Sequence, residues 1–155
     1  MKPITARPLC QSFVSVCYTV CMSHYKKNCV FCKVAQRKIE HSQFWEDDSH
    51  IAFLDKDQST FGHTLVIPKN HVSYVFNLHE KEYLALLLRA EKIAKALQKL
   101  TKCKRVALSI YGFEVPHTHI HLLPLNTLPT TGRKTKRPKK QDVRKLVGRL
   151  TGLFA

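Results

Sequence analysis

The chain has 155 residues, 44% of them hydrophobic, which is enough for one substantial core and too few for two ordinary domains. Lys and Arg outnumber Asp and Glu by 26 to 11, and the net charge of +15 favours anionic partners such as nucleotides, nucleic acid or acidic lipid headgroups. No stretch reaches the roughly 18 apolar residues of a transmembrane helix, so we expect a cytoplasmic protein that does not enter the membrane.

The N-terminal residues 1–27 are predicted to be a disordered extension. The apolar segment from Leu9 to Cys21 resembles a weak signal peptide, but polar residues interrupt it and no A-x-A cleavage site follows. Met22 offers an alternative start, so the first 21 residues need not belong to the functional protein.

Hydrophobic periodicity predicts one α+β domain over residues 28–126. Strand patterns are found at Phe44–Glu46, Ile51–Asp55, His63–Pro68, Arg105–Ile110 and Val115–Leu123. Helix patterns are found at Val30–Ala35, ending near Arg37, and from about Glu80 to Leu100. Because the strands follow one another through short turns, we expect an antiparallel sheet with the long helix packed against it.

Residues 127–155 are predicted to be a basic linker followed by a C-terminal helix, with Asp142 as the helix cap. The run from Arg133 to Lys140 is typical of a solvated connector. The alternative is weak nucleic-acid binding through phosphate contacts, although aromatic residues, which single-strand binders use for stacking, are absent from the run.

Cysteine usage is irregular, which argues against a disulfide framework in this chain. Of the six cysteines, only Cys29 and Cys32 form a C-x-x-C pair. Such a pair can bind zinc, act as a redox couple or pack as two small buried side chains. Cys103 is interpreted as an ordinary core or tail thiol. The histidines without an assigned role are predicted to lie on the surface: His24, His41, His50 and His79.

Three histidines alternate along the last predicted strand, at positions 117, 119 and 121. Alternate side chains share one face of a strand at a spacing of roughly 6–7 Å, so one phosphate can touch two imidazoles. A neutral imidazole can attack phosphorus when its second ring nitrogen donates a hydrogen bond, while its neighbours hold oxygens or deliver a proton. The pattern favours phosphate chemistry over a merely polar, exposed strand face.

The segment from Gly112 to Pro124, G-F-E-V-P-H-T-H-I-H-L-L-P, resembles the signature of the histidine-triad (HIT) family. Further landmarks of that family follow in order and at matching spacing: Cys29–Lys33, Trp45–Asp48, Ala52–Asp55 and Gly62–His71. The resemblance covers residues 29–124. It implies a HIT-like fold, and a homodimer in which two five-stranded sheets join.

The resemblance also implies a reaction and the residues that perform it. The substrate would be a purine nucleotide derivative cleaved at its α-phosphate: a phosphoramidate, an adenylate or a dinucleoside polyphosphate. His119 would form a nucleotidyl-histidine intermediate, His121 and His63 would hold phosphate oxygens, and Asp55 would bind the ribose hydroxyls. Other residues implied around the nucleotide are Phe31, Val34, Ile39, Phe53, Ser109 and Val115.

A structural zinc ion is implied as well, bound by Cys29, Cys32, His71 and His117, which is a complete tetrahedral ligand set. Spacing alone would place His117 with the catalytic histidines, whereas the resemblance assigns it to the metal.

Two departures from the family pattern bear on activity. Phe113 stands where the family usually carries Gln, which removes a donor to the bridging atom. Glu114 follows it and can act as a general acid if a hydrophobic setting raises its pKa. The alternative to a hydrolase or transferase is therefore a non-catalytic nucleotide-binding scaffold with structural zinc.

Overall fold

The computed structural model describes residues 25–127 and 138–155. The predicted N-terminal extension up to residue 24, and the basic run from Arg133 as far as residue 137, lie outside the described residues. No helix within the described ranges is both long enough and apolar enough to cross a membrane.

The described residues form an α+β fold with five strands and three α-helices, as the sequence predicts. The strands are β1 (Ser42–Glu46), β2 (His50–Leu54), β3 (Thr64–Pro68), β4 (Arg105–Ser109) and β5 (Ile120–Leu125). The helices are α1 (Val30–Ala35), α2 (Glu80–Thr101) and α3 (Lys140–Phe154), with a 3-10 turn at Val75–Asn77. All strand pairs are antiparallel in the order β1-β2-β3-β5-β4, so the last strand lies inside the sheet.

Both faces of the sheet are covered. One face packs against α2 and α3, whose buried side chains include Ile93, Leu97, Leu146 and Leu150. The other face packs against α1 and forms a smaller apolar cluster around Phe31. Every residue of β2 and β3 is buried, as expected for central strands covered on both faces.

The fifth strand begins at Ile120, so its predicted start at Val115 is wrong. Pro116 cannot donate a hydrogen bond to a neighbouring strand, and the chain around it is irregular. Thr118 instead donates its backbone N–H to the carbonyl of Val72, in the loop after β3 (2.6 Å). The first two histidines of the triad are therefore held by loop contacts, and only His121 lies in the strand.

Two smaller expectations are also corrected. Asp142 does not cap α3, because the N-cap residue is Lys139; the carboxylate lies in the first helical turn, where it interacts favourably with the helix dipole.

His50 is buried rather than on the surface, and its Nδ1 lies 3.2 Å from Oδ1 of Asp47. Burial opposes the charge of Asp47, but hydrogen bonds from Arg89 and two backbone amides prevail and lower its pKa to about 2.

Candidate active site and metal cluster

A cavity of about 920 Å³ opens on the α1 side of the sheet. Its apolar walls are formed by the side chains of Phe31, Val34, Ile39, Phe53 and Val115. The rings of Phe31 and Phe53 meet edge to face, with centroids 6.0 Å apart. An apolar slot with aromatic walls suits a flat heterocycle such as a nucleobase.

His119 lies against this cavity, with its ring 5.0 Å from that of Phe31. Its Nδ1 is 2.6 Å from the backbone carbonyl oxygen of His117. Because a carbonyl oxygen can only accept, Nδ1 must carry the proton and donate it, which leaves the lone pair on Nε2. Nε2 has no hydrogen-bond partner within the part of the chain that the structure describes. The ring is thus fixed in the tautomer that a nucleophile requires.

His121 also lines the cavity, and its ring centroid lies 4.8 Å from that of His119. Its Nδ1 is 2.9 Å from Nε2 of His63, which is buried behind it and does not reach the cavity. Nδ1 of His63 in turn lies 3.4 Å from Oδ2 of Asp55. Burial, reinforced by the neighbouring imidazoles, lowers the pKa of His121 to about 4, so its ring is neutral at pH 7.

His117 turns away from the cavity, so the three histidines do not share one face. Its Nε2 donates to the carbonyl oxygen of Pro68 (3.0 Å), which leaves the lone pair on Nδ1. That nitrogen faces two thiols and a second imidazole: it lies 3.4 Å from Sγ of Cys29, 3.7 Å from Sγ of Cys32 and 3.3 Å from Nδ1 of His71.

These four residues form a cluster whose ligand atoms all lie within 4.8 Å of one another. Tetrahedral zinc, with Zn–S of about 2.3 Å and Zn–N of about 2.0–2.1 Å, requires separations of about 3.4–3.8 Å between ligand atoms. Four of the six ligand pairs lie 3.3–3.7 Å apart, close to these separations, and all six lie within 4.8 Å. The donor set and its spacing therefore fit zinc.

The surroundings of the cluster also suit a cation. Burial raises the pKa of the Cys32 thiol and lowers the pKa of His117 to about 4, so without a cation the neutral forms are favoured. A bound cation would offset the cost of a buried thiolate. The backbone N–H of Lys26 already points at Sγ of Cys32 (3.3 Å), as outer-sphere donors do in metal–thiolate sites.

Two predicted site residues, Ser109 and Glu114, do not contribute to the site as expected. Ser109 lies in β4 opposite His121, and its buried hydroxyl is not part of the cavity wall. Glu114 and its neighbour Phe113 line the cavity, but both are exposed, Phe113 by 92%. Among the described residues, none therefore gives Glu114 the hydrophobic setting that a general acid would need.

Several cavity residues were not predicted from the sequence. Tyr111 places its ring 5.6 Å from that of His121, and His41 lies against Phe53. Gln58 reaches the cavity from the loop after β2, and Lys140 and Arg144 reach it from α3. No local sequence signal identifies them, because only the tertiary packing brings α3 to this position.

Comparisons with known proteins agree with this geometry. The HIT domain family matches residues 36–128. An uncharacterized HIT-like protein of Borreliella burgdorferi is 36% identical over 104 residues, which cover 63% of this chain and 75% of that protein. The adenylylsulfatase HINT3 of Arabidopsis thaliana is 29% identical over 107 residues, covering 66% of this chain and 54% of that protein.

Among solved structures, a zinc-bound histidine triad family protein from Mycobacterium smegmatis matches with a TM-score of 0.69. It is 23% identical, and the match covers 81% of this chain and 95% of the other, which establishes the likeness of fold. The match over residues 36–128, which is more than half of the 155 residues, assigns the family. This chain belongs to the HIT domain family.

Proposed function

We propose that the protein is a hydrolase or transferase that acts at the α-phosphate of purine nucleotide derivatives through a nucleotidyl-histidine intermediate. The observation that carries the proposal is the hydrogen bond from Nδ1 of His119 to the carbonyl of His117 (2.6 Å), which leaves a free lone pair on Nε2 at the cavity. The relationship to adenylylsulfatase HINT3 supports a nucleotide hydrolase.

In the first step, Nε2 of His119 attacks phosphorus and forms a P–N bond. The bond from phosphorus to the leaving group breaks, and its electron pair departs with that group, which takes up a proton. Water then attacks phosphorus, the P–N bond breaks, and the nucleoside monophosphate is released with His119 restored. His117 stabilises the positive ring of the intermediate, because its carbonyl accepts the Nδ1–H of His119.

His121 is proposed to hold a phosphate oxygen beside His119. The hydrogen bond to His63 fixes the ring of His121, so His63 is a positioning residue rather than a direct phosphate ligand. Asp55 is proposed to accept hydrogen bonds from the ribose hydroxyls. It lies at the cavity, and its Oδ1 is oriented by the backbone N–H of Asp57 (2.9 Å).

We propose further that the four-residue cluster holds zinc in a structural role. Cys29 and Cys32 at α1, His71 in the loop after β3 and His117 before β5 would hold the ion, which would connect these three segments. It would hold the ring of His117, and through the backbone of His117 it would fix the acceptor of the His119 hydrogen bond.

A homodimer is proposed on the basis of exposed apolar side chains. Strand β4 is an edge of the sheet, and Leu108 on it is 48% exposed. On α2, Leu84 and Leu88 are four residues apart and therefore neighbours on one helix face, and both are at least half exposed. Pairing of two β4 edges would continue the sheet, and the contact between the two copies would cover exposed leucines such as Leu108.

A substrate panel would distinguish an enzyme from the alternative, a nucleotide-binding scaffold. The lack of a polar donor at the exposed Phe113 favours that alternative. We expect release of AMP from at least one of adenosine phosphoramidate, adenylyl sulfate or a diadenosine polyphosphate, measured by chromatography. Binding of AMP without cleavage of any of these compounds would contradict the enzymatic proposal and support the scaffold.

A further inference from the structure

The lining of the cavity also includes residues of the loop after β2, which follows Asp55, and of the first turns of α3. Lys56 follows Asp55 directly, Gln58 lies two residues further on, and both line the cavity. Helix α3 packs on this loop so closely that a side chain at Gly62 would meet Cδ2 of Leu146 at 3.3 Å. As a result, Lys140 and Arg144 line the same cavity as the proposed nucleotide site.

Three cations of this end have no carboxylate partner. Lys56, Lys140 and Arg144 are exposed, and none forms an ion pair with any carboxylate of residues 25–127 or 138–155. Unpaired cations are common among the described residues, so what distinguishes these three is that they line the cavity. The first turn of α3 adds backbone N–H groups and the positive end of a 15-residue helix to the same region.

The amide of Gln58 adds a polar group to the same end of the cavity. The side chain of Gln58 is only 8% exposed, and its Oε1 accepts the backbone N–H of Gly62 (3.1 Å). Because that N–H must meet the oxygen, the orientation of the amide is set and its NH₂ group is left as a donor. This group has no protein acceptor among the residues described, and the side chain lines the cavity. A ligand oxygen at the cavity would satisfy it.

We propose that this end of the cavity, comprising Lys56, Gln58, Lys140 and Arg144, is a subsite for a second phosphate attached to the ribose of the nucleotide. The inference rests on the proposed function, which puts the α-phosphate at His119 and the ribose at Asp55. A 2′- or 3′-phosphate would then lie beside Lys56. Tyr111 lies beside His121, and with Phe113 and Glu114 it lines the cavity there; among residues 25–127 and 138–155, the cations that line the cavity are Lys56, Lys140 and Arg144.

Calorimetric titration of the full chain tests the subsite with four probes: AMP, adenosine 3′,5′-bisphosphate, adenosine 2′,5′-bisphosphate and ADP. At least one ribose bisphosphate is expected to bind about tenfold more tightly than AMP, because each added contact is a charge-assisted hydrogen bond. The two bisphosphates distinguish the 2′ from the 3′ position. The advantage should shrink at high salt, since the cations are exposed, and ADP should gain less.

Two double variants compare cations that lie on the same helix, α3. In Lys140→Ala/Arg144→Ala the ratio of bisphosphate to AMP affinity should fall toward one. The matched control Lys145→Ala/Arg149→Ala removes two exposed cations of α3 that do not line the cavity, and it should keep the ratio. Gln58→Glu retains an acceptor for Gly62 but replaces the donor with negative charge, so it should also lower the ratio.

The subsite is wrong if AMP binds and neither bisphosphate binds more tightly, if ADP shows the larger gain, or if both α3 variants behave alike. Failure of all four nucleotides to bind would instead overturn the proposed function, and the subsite with it.

Discussion

His119→Asn is expected to lower kcat/KM by at least about 10³-fold for every substrate that the protein cleaves. Asparagine keeps an N–H that can donate to the carbonyl of His117, so the local structure should persist. It has no lone pair able to attack phosphorus, so the intermediate cannot form. Steady-state kinetics and AMP titration together check the result, with nucleotide binding expected to remain.

His79→Asn is a matched control for this change. His79 is the N-cap of α2 and does not line the cavity, and asparagine is itself a favourable N-cap. It should therefore retain the activity of the unaltered protein. If His119→Asn hydrolysed its substrates at the original rate, another group would have to be the nucleophile.

Cys32→Ser is expected to lower zinc affinity by more than about hundredfold and to lower Tm markedly. Cys32 is 1% exposed, and its Sγ contacts both imidazoles of the cluster. The serine hydroxyl would be a weaker zinc ligand, and a side chain buried at this position cannot move toward solvent to compensate. Because zinc binds only the assembled cluster, its binding free energy contributes to the stability of the fold. Elemental analysis gives the metal content, and thermal unfolding with and without a chelator gives the change in Tm.

Cys103→Ser tests whether the effect belongs to the cluster. Cys103 is also buried, at 8% exposure, but it lies outside the metal cluster, so zinc content should remain at one ion per chain. Equal zinc content in Cys32→Ser and Cys103→Ser, or a Tm that no chelator changes, would contradict a structural zinc site.

Local patterns predicted the strands and helices well. Helix α1 begins at the predicted Val30 and ends two residues before the predicted Arg37, and the bounds of α2 agree within one residue, because the spacing of apolar residues reports the period of an element directly. The start of β5 was wrong because alternation cannot distinguish a strand from an irregular segment containing Pro116. Asp142 is the N-cap that the sequence predicts for α3, because Asp is a preferred capping residue. That preference is only statistical, and the helix begins after Lys139 without a side-chain cap.

Side-chain direction in the site was predictable only in part. Period-two alternation placed His117 beside the other histidines, whereas its contacts with Cys29, Cys32 and His71 depend on residues 46 to 88 positions away along the chain. Only the resemblance to a family anticipated that set. The contribution of α3 was missed for the same reason, since the approach of Arg144 to the cavity arises from packing between distant segments.

The most direct measurement of the central claim is the intact mass of the protein, quenched during turnover of a cleavable adenylate and then mapped by peptide sequencing. We expect a species heavier by one adenylyl group, with the group attached to His119, acid-labile as a P–N bond is, and absent from His119→Asn. Turnover without any such species under single-turnover conditions, or an adenylyl group on a different residue, would contradict the account.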